Sequence, residues 1–147
     1  RNGGLEALTP LPGGGLLVLT EGLAAAGGLR GWHYDGQNWL ALIYQTTGQF
    51  KPTDLAALPG GGFMVLERRY TTLGGPAARL QIIAGITPGA PLIGREIATM
   101  ALPLTVDNME GLAVVPMAAG LAVYLLSDDN FHPLQRTLLM KFELARN

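Results

Sequence analysis

The chain has 147 residues, of which 48% are hydrophobic and 14% charged, so it can fill a core and is not a disordered segment. Its formal net charge of −1 leaves no basic excess for the phosphates of a duplex, which argues against nucleic acid as a partner. The absence of cysteine excludes thiol catalysis, disulfides and Cys-ligated zinc.

A Leu-Pro-Gly-Gly-Gly turn occurs twice, at 11–15 and at 58–62, and short apolar runs flank each copy. These runs are predicted strands at 5–8, 16–19, 55–58 and 63–66. A looser third copy covers 110–128, with its turn at Gly120. The spacing of about 50 residues is typical of propeller blades.

Further strand candidates follow each hairpin, at 29–34, 39–44, 79–86, 96–102 and 137–144. Asp35-Gly36 predicts a hairpin between the first two of them, and residues 22–28, with their alanine run, are predicted to be a loop. Four strands per unit are what a blade requires.

The pattern therefore predicts an all-β fold: a β-propeller fragment of about three four-stranded antiparallel blades, the last one incomplete. The units of this single partial domain are approximately 1–47, 48–104 and 105–147. An antiparallel sandwich whose hairpins share turn chemistry is the alternative. Open blade edges pair readily, which predicts a homodimer. Residues 111–126 are uncharged but too short for a membrane span, so two strands are expected there.

Eight of the 11 acidic residues lie at the ends of the predicted hairpin strands: Glu6, Glu21, Asp54, Glu67, Asp107, Glu110, Asp128 and Asp129. Because the start of the first strand and the end of the second share one sheet edge, these acids are expected to gather at one face. Clustered carboxylates repel unless a cation, an arginine or a proton compensates them. Oxygen ligands suit Ca²⁺, so the predicted metal ligands are Asp107, Asn108, Asp128, Asp129 and Asn130. The alternative is that the acids cap strand ends and pair with arginines.

Three arginines adjoin these acids, and Arg68, Arg69 and Arg136 are therefore predicted to bind a substrate anion, since a guanidinium binds phosphate in a bidentate way. His132 follows the acidic loop and is predicted to join them, in acid–base chemistry or metal binding. An ion-pair network between blades is the alternative for the arginines.

Four motifs together resemble one family: Asn-Gly-Gly-Leu-Glu-Ala-Leu at 2–8, Leu-Glu-Arg at 66–68, Asn-Met-Glu-Gly-Leu at 108–112 and Ser-Asp-Asp-Asn-Phe at 127–131. Gln-Arg-Thr-Leu-Leu at 135–139 extends the resemblance. The chain resembles the C-terminal part of the phytase-like proteins described as having the esterase-like activity of phytase. The resemblance implies a propeller-like fold, a periplasmic or secreted setting and phosphoesterase-type chemistry. The acids suspected of that chemistry fall here on Glu6, Glu67, Glu110, Asp128 and Asp129.

The second unit departs from this pattern, because Thr53 stands where the other units have Glu6 and Glu110. The three units are therefore not expected to contribute equally to a site.

Two functions follow as expectations. The first is a metal-assisted hydrolase of a small phosphoester, with Glu6, Glu67 and Glu110 as catalytic carboxylates and Ca²⁺ polarising the phosphoryl oxygen. The second is a non-catalytic binding propeller, whose acids are structural or hold a structural calcium ion.

Overall fold

The computed structural model describes residues 3–145, so Asn2 of the first motif lies outside the described residues. These residues form twelve strands and no helix, and no helix among them could therefore cross a membrane. The all-β prediction is confirmed. The strands are β1 Leu5–Pro10, β2 Leu16–Ala25, β3 Gly28–Tyr34, β4 Trp39–Gln45, β5 Lys51–Ala57, β6 Phe63–Thr71, β7 Gly75–Ile83, β8 Leu92–Ile93, β9 Arg95–Ala101, β10 Met109–Met117, β11 Gly120–Ser127 and β12 Leu139–Ala145.

The strands form three sheets that follow one another along the chain, except that β8 joins the first sheet. The first sheet has the order β1-β2-β3-β4-β8, the second β5-β6-β7-β9 and the third β10-β11-β12. All pairings are antiparallel except that of β4 with the two-residue strand β8. The propeller stays a prediction, as does the homodimer through open sheet edges, which light scattering can test.

The two glycine-rich turns close in the same way. The Leu11 amide donates to the Gly15 carbonyl over 2.8 Å, and the Leu58 amide donates to the Gly62 carbonyl over 3.0 Å. A Cβ at Gly15 would collide with the carbonyl oxygen of Tyr34, and one at Gly62 with that of Ile83. The last glycine of each turn is therefore required by the close approach of the neighbouring strand.

The Asp35-Gly36 hairpin is confirmed, since Tyr34 pairs with Trp39 on either side of it. The Asp35 carboxylate accepts the amides of Asn38 over 2.7 Å and of Gln37 over 2.8 Å. These bonds, that of Asn38 first, lower the pKa of Asp35.

The predicted loop at 22–28 is wrong, because β2 continues to Ala25 and β3 begins at Gly28. Ala24 pairs with Leu29 beyond a register shift, and Gly27, with φ of 89°, makes the turn. A bulge of this kind lets a hairpin continue past a local irregularity. The sequence also did not predict β8, whose Leu92 is buried in the core with Tyr44.

Two apolar layers hold the sheets together, one on each face of the second sheet. Along β6, Phe63 and Val65 belong to the layer shared with the first sheet, and Met64 and Leu66 to the layer shared with the third. Side chains alternate between the faces of a strand, so a strand buried on both sides is apolar throughout. This explains the unbroken apolar run that follows the second glycine-rich turn.

The first strands of the three sheets are joined through side chains. The Ala57 amide of β5 donates to Thr9 Oγ1 of β1 over 3.2 Å. The Leu112 amide of β10 donates to Asp54 Oδ2 of β5 over 2.7 Å, and Thr53 Oγ1 donates to the Met109 carbonyl over 3.0 Å. Edge amides that would otherwise be free are thus satisfied by the neighbouring sheet.

Candidate functional site

Each first strand carries a register shift at the same place. The shift falls at Glu6 in β1, at Thr53 in β5 and at Glu110 in β10. These are the three positions that the sequence aligned with one another. Bulges change the direction of a side chain and are frequent beside functional sites. The shared geometry therefore makes these ends of the three sheets the candidate location of a functional site.

Arg68 of β6 connects all three sheets at these ends. Its Nη2 lies 3.1 Å from Glu21 Oε1 and 3.6 Å from Glu110 Oε1, and its Nη1 donates to Asn108 Oδ1. Asn108 Nδ2 in turn donates to Glu110 Oε1 over 2.7 Å. The expected gathering of acids therefore occurs for Glu21 and Glu110, with an arginine between them.

The remaining paired acids do not meet. Glu6 is exposed, and no side-chain hydrogen bond or ion pair found among residues 3–145 involves it. Asp54 is directed to the Leu112 amide of the third sheet, where burial raises its pKa despite the amides that it accepts. Glu67 faces Pro52 in the register and accepts Arg79 Nε, so Asp54 and Glu67 belong to different contacts.

Glu67 is fully buried, with 0% of its surface exposed, and is surrounded by donors. Its carboxylate accepts Arg79 Nε and Gln81 Nε2, each over 2.6 Å, and Thr46 Oγ1 over 2.8 Å. Burial, and after it the charge of Glu67, raises the pKa of the Tyr44 hydroxyl strongly. Glu67 is therefore the anion of an internal network between the first and second sheets.

The sequence analysis missed Arg79, although a signal existed. Arg79 lies directly opposite Glu67 in the antiparallel pairing of β6 with β7. Opposite charges at facing positions of a hairpin attract each other. If the register of the strands after the glycine-rich turn had been deduced from the sequence, it could have identified this pair.

Phe50 lies between two guanidinium groups. The Cζ of Arg79 is 4.3 Å from the centre of the ring, and the Cζ of Arg69 is 4.6 Å from it. A cation over an aromatic face is attracted by the negative charge of the face. The buried ring thus orients Arg69 as well as Arg79.

Arg69 differs from the other arginines near it in having no acidic partner. No ion pair of residues 3–145 involves Arg69, and its Nη1 donates to the Gly48 carbonyl over 3.3 Å. Its Nε is buried and has no hydrogen-bond partner among the same residues. Arg69 therefore keeps a positive charge that no acid of residues 3–145 compensates.

The predicted metal ligands Asp128 and Asp129 shape the loop after β11. Asp128 Oδ1 accepts the Asn130 amide over 3.0 Å, and Asp129 Oδ1 accepts the Phe131 amide over 2.9 Å. Asn130 and Phe131 adopt left-handed φ angles of 49° and 54°. Such angles are uncommon outside glycine, so these carboxylates help to hold an unusual turn.

The far end of this loop is fixed by Ser127 and Asp107. Ser127 Oγ donates to the Arg136 carbonyl over 2.6 Å and accepts the Leu138 amide over 2.8 Å. Asp107 Oδ2 accepts the Arg136 amide over 3.0 Å and lies 3.8 Å from its Nε. The loop is therefore held at both ends and presents Arg136 in a defined place.

A cleft of about 690 Å³ is lined by the end of β6, the start of β7, the segment before β10 and this loop. All four predicted substrate-binding residues line it: Arg68, Arg69, His132 and Arg136. Of the predicted metal ligands, Asp107, Asn108 and Asn130 line it. Glu6, Glu67, Glu110, Asp128 and Asp129 are not among the lining residues.

Three arginines and the carboxylate of Asp107 line the cleft. Arg68 is paired with Glu21 and Glu110, and Arg136 with Asp107, so Arg69 is the lining arginine that has no acidic partner among residues 3–145. His132 Nδ1 accepts the Leu134 amide over 3.3 Å, so a neutral imidazole carries its proton on Nε2 and can donate it from there. The arrangement can bind an anion and donate a hydrogen bond to it.

The acids do not form the oxygen cage that calcium requires. Within residues 3–145, no three His, Cys, Asp or Glu side chains converge on a point that could hold a metal ion. Asp107, Asp128 and Asp129 each accept backbone amides instead. Ca²⁺ binding takes six to eight oxygen ligands, so these residues do not fit it as they lie, and the calcium site stays a prediction.

Fold and cleft together define a class: an all-β domain with an arginine-lined cleft beside its second and third sheets. The chain belongs to the phytase-like family, because the family model described as "Esterase-like activity of phytase" matches residues 1–131. The resemblance inferred from the motifs is thereby confirmed, and family membership indicates a hydrolase-type domain. The match ends before His132 and Arg136, so it does not include these two cleft residues. Neither the curated proteins nor the solved structures that were compared contain a match.

Proposed function

We propose that the three sheets are consecutive propeller blades, and that the cleft binds the anionic group of a small phosphoester for hydrolysis. The observation that carries the proposal is Arg69, which has no acidic partner among residues 3–145 and lines a cleft with Arg136 and His132. Membership of the family supports the hydrolytic part.

The division of labour among the arginines follows from their partners. Arg69 has no acidic partner among residues 3–145, and Arg136 is 60% exposed and loosely paired with Asp107 at 3.8 Å, so both can turn donors to a phosphate. Arg68 is already held by Glu21, Glu110 and Asn108, and it contributes charge from a fixed position. Donors fixed in advance stabilise the charge that develops on the phosphoryl oxygens.

In the proposed reaction, water adds to the phosphorus and the ester P–O bond breaks. The departing oxygen takes up a proton released by the attacking water and leaves as an alcohol, while the Nε2–H of His132 donates a hydrogen bond that stabilises its developing negative charge. Glu110 acts through Arg68 in this scheme, and Glu67 acts through Arg79 and Phe50, so both are positioning residues.

The test compares Arg69→Gln with Arg95→Gln, a control at an exposed arginine of β9 outside the cleft. Calorimetry with inorganic phosphate is expected to show about a tenfold or larger loss of affinity for Arg69→Gln, since a hydrogen bond to a charged group contributes about 1.5–3 kcal/mol. The control is expected to bind as the parent chain does. Equal binding by all three proteins would refute the proposal.

A non-catalytic anion-binding domain is the second candidate. One observation favours it: Glu21, Glu67 and Glu110 are all engaged with arginines, which leaves them unsuited to act as a free base. Turnover of 4-nitrophenyl phosphate separates the two functions. The binding function would be established if phosphate binding depended on Arg69, no turnover were detected, and His132→Gln left the affinity for phosphate unchanged.

A further inference from the structure

The cleft has an apolar side that phosphate alone does not use. Tyr70, Leu102 and Leu134 line it and are 75%, 61% and 85% exposed. Large apolar side chains with that much exposure, concentrated beside a binding cleft, mark a surface that a ligand can cover. Pro76 and Val106 extend the same wall.

Two of these apolar side chains are held in place by local structure. Leu102 packs against Gly75 at the start of β7, where a Cβ would lie 3.1 Å from its Cδ1. Leu134 lies within the turn in which the Gln135 amide donates to the His132 carbonyl over 2.9 Å. Tyr70 and Leu134 therefore belong to the segments that carry Arg69 and His132, and Leu102 follows β9.

We infer that the cleft selects phosphoesters whose alcohol part is apolar, an alkyl or aryl group, over polyphosphorylated polar compounds. The inference rests on the proposed function, because the phosphate of such an ester would lie at Arg69 and Arg136 while its apolar part covers Leu102, Leu134 and Tyr70. A compound with many phosphates would place charge against this wall and lose hydration there without gaining a partner. An alkyl group placed there removes apolar surface from water on both sides.

The test measures the affinity of the chain for inorganic phosphate, methyl, butyl and hexyl phosphate, and inositol hexakisphosphate by calorimetry. Affinity is expected to rise from phosphate to butyl phosphate by up to about fourfold per buried methylene. Leu102→Ser and Leu134→Ser are expected to flatten this rise and to leave the affinity for phosphate unchanged. Leu73→Ser, at an exposed residue that does not line the cleft, is the matched control and is expected to keep the rise.

The outcomes separate this inference from the proposal beneath it. A flat series in the parent chain, or tightest binding of inositol hexakisphosphate, would overturn the inference while Arg69-dependent phosphate binding still stood. The inference would also be overturned if the affinity still rose with alkyl chain length in both serine variants, because the alkyl group of the ligand would then lie elsewhere. If Arg69→Gln left the affinity for phosphate unchanged, the proposed function itself would be refuted.

Discussion

Replacing Glu67 with alanine is expected to destabilise the chain strongly. The Glu67 carboxylate is fully buried and 2.6 Å from Arg79 Nε, and the Arg79 side chain is itself only 7% exposed. Removing one partner of such a pair leaves a buried charge uncompensated, at a cost of about 3–5 kcal/mol. For a chain of this length, that loss corresponds to a fall in Tm of about 6–20 °C.

Urea unfolding followed by circular dichroism measures the effect, and Arg79→Met provides the second arm of a double-mutant cycle. In the Arg79→Met background no cation remains to be stranded, so Glu67→Ala is expected to be neutral or stabilising there. A loss below about 1 kcal/mol, or the same loss in both backgrounds, would refute the reasoning. Glu67→Gln keeps the size of the side chain but removes its charge, so it should also destabilise the chain, and the loss should again disappear in the Arg79→Met background.

Three further predictions concern pH, the loop and calcium. Burial, and after it the Glu67 charge, keeps Tyr44 protonated in the folded chain above pH 10, while the unfolded chain ionises and binds fewer protons. Stability should therefore fall with rising pH there by up to about 1.4 kcal/mol per unit, and Tyr44→Phe should show a shallower fall in urea unfolding at pH 9–11. Ser127→Ala removes the acceptor of Leu138 and the donor to Arg136, and should cost about 1–3 kcal/mol and weaken phosphate binding in calorimetry. Excess Ca²⁺ should leave Tm as it is in EDTA, because the acids of the loop already accept amides; a rise equivalent to about 2.7 kcal/mol would instead indicate a calcium site.

Local sequence features predicted most of the fold. The glycine-rich turns and Asp35-Gly36 are determined by backbone requirements within a few residues, so the hairpins around them follow from the sequence. The loop expected at 22–28 failed for the opposite reason, because a bulge and pairing with β3 decide its structure. β8 pairs with a strand far away in the chain, and no local signal reports that contact.

The candidate site was predictable by residue type but not by role. Arg68, Arg69, Arg136 and His132, which the sequence analysis grouped as substrate-binding residues, line one cleft, and each lies near an acid at the end of a strand. Which arginine is neutralised depends on contacts between sheets, such as that of Arg68 with Glu21, 47 residues away in the chain. Such partners depend on how sheets stack, which the spacing of motifs does not specify.

The side-chain hydrogen bonds between the first strands also allow the separation of each pair of neighbouring sheets to be measured on its own. The Leu112 amide is held by Asp54 of the second sheet, and the Ala57 amide by Thr9 of the first. In hydrogen–deuterium exchange, such an amide is released when two sheets part, even if both sheets remain folded. The exchange rate of Leu112 therefore reports on the separation of the second and third sheets, and that of Ala57 on the separation of the first and second. Comparing the two rates gives the order in which the sheets separate.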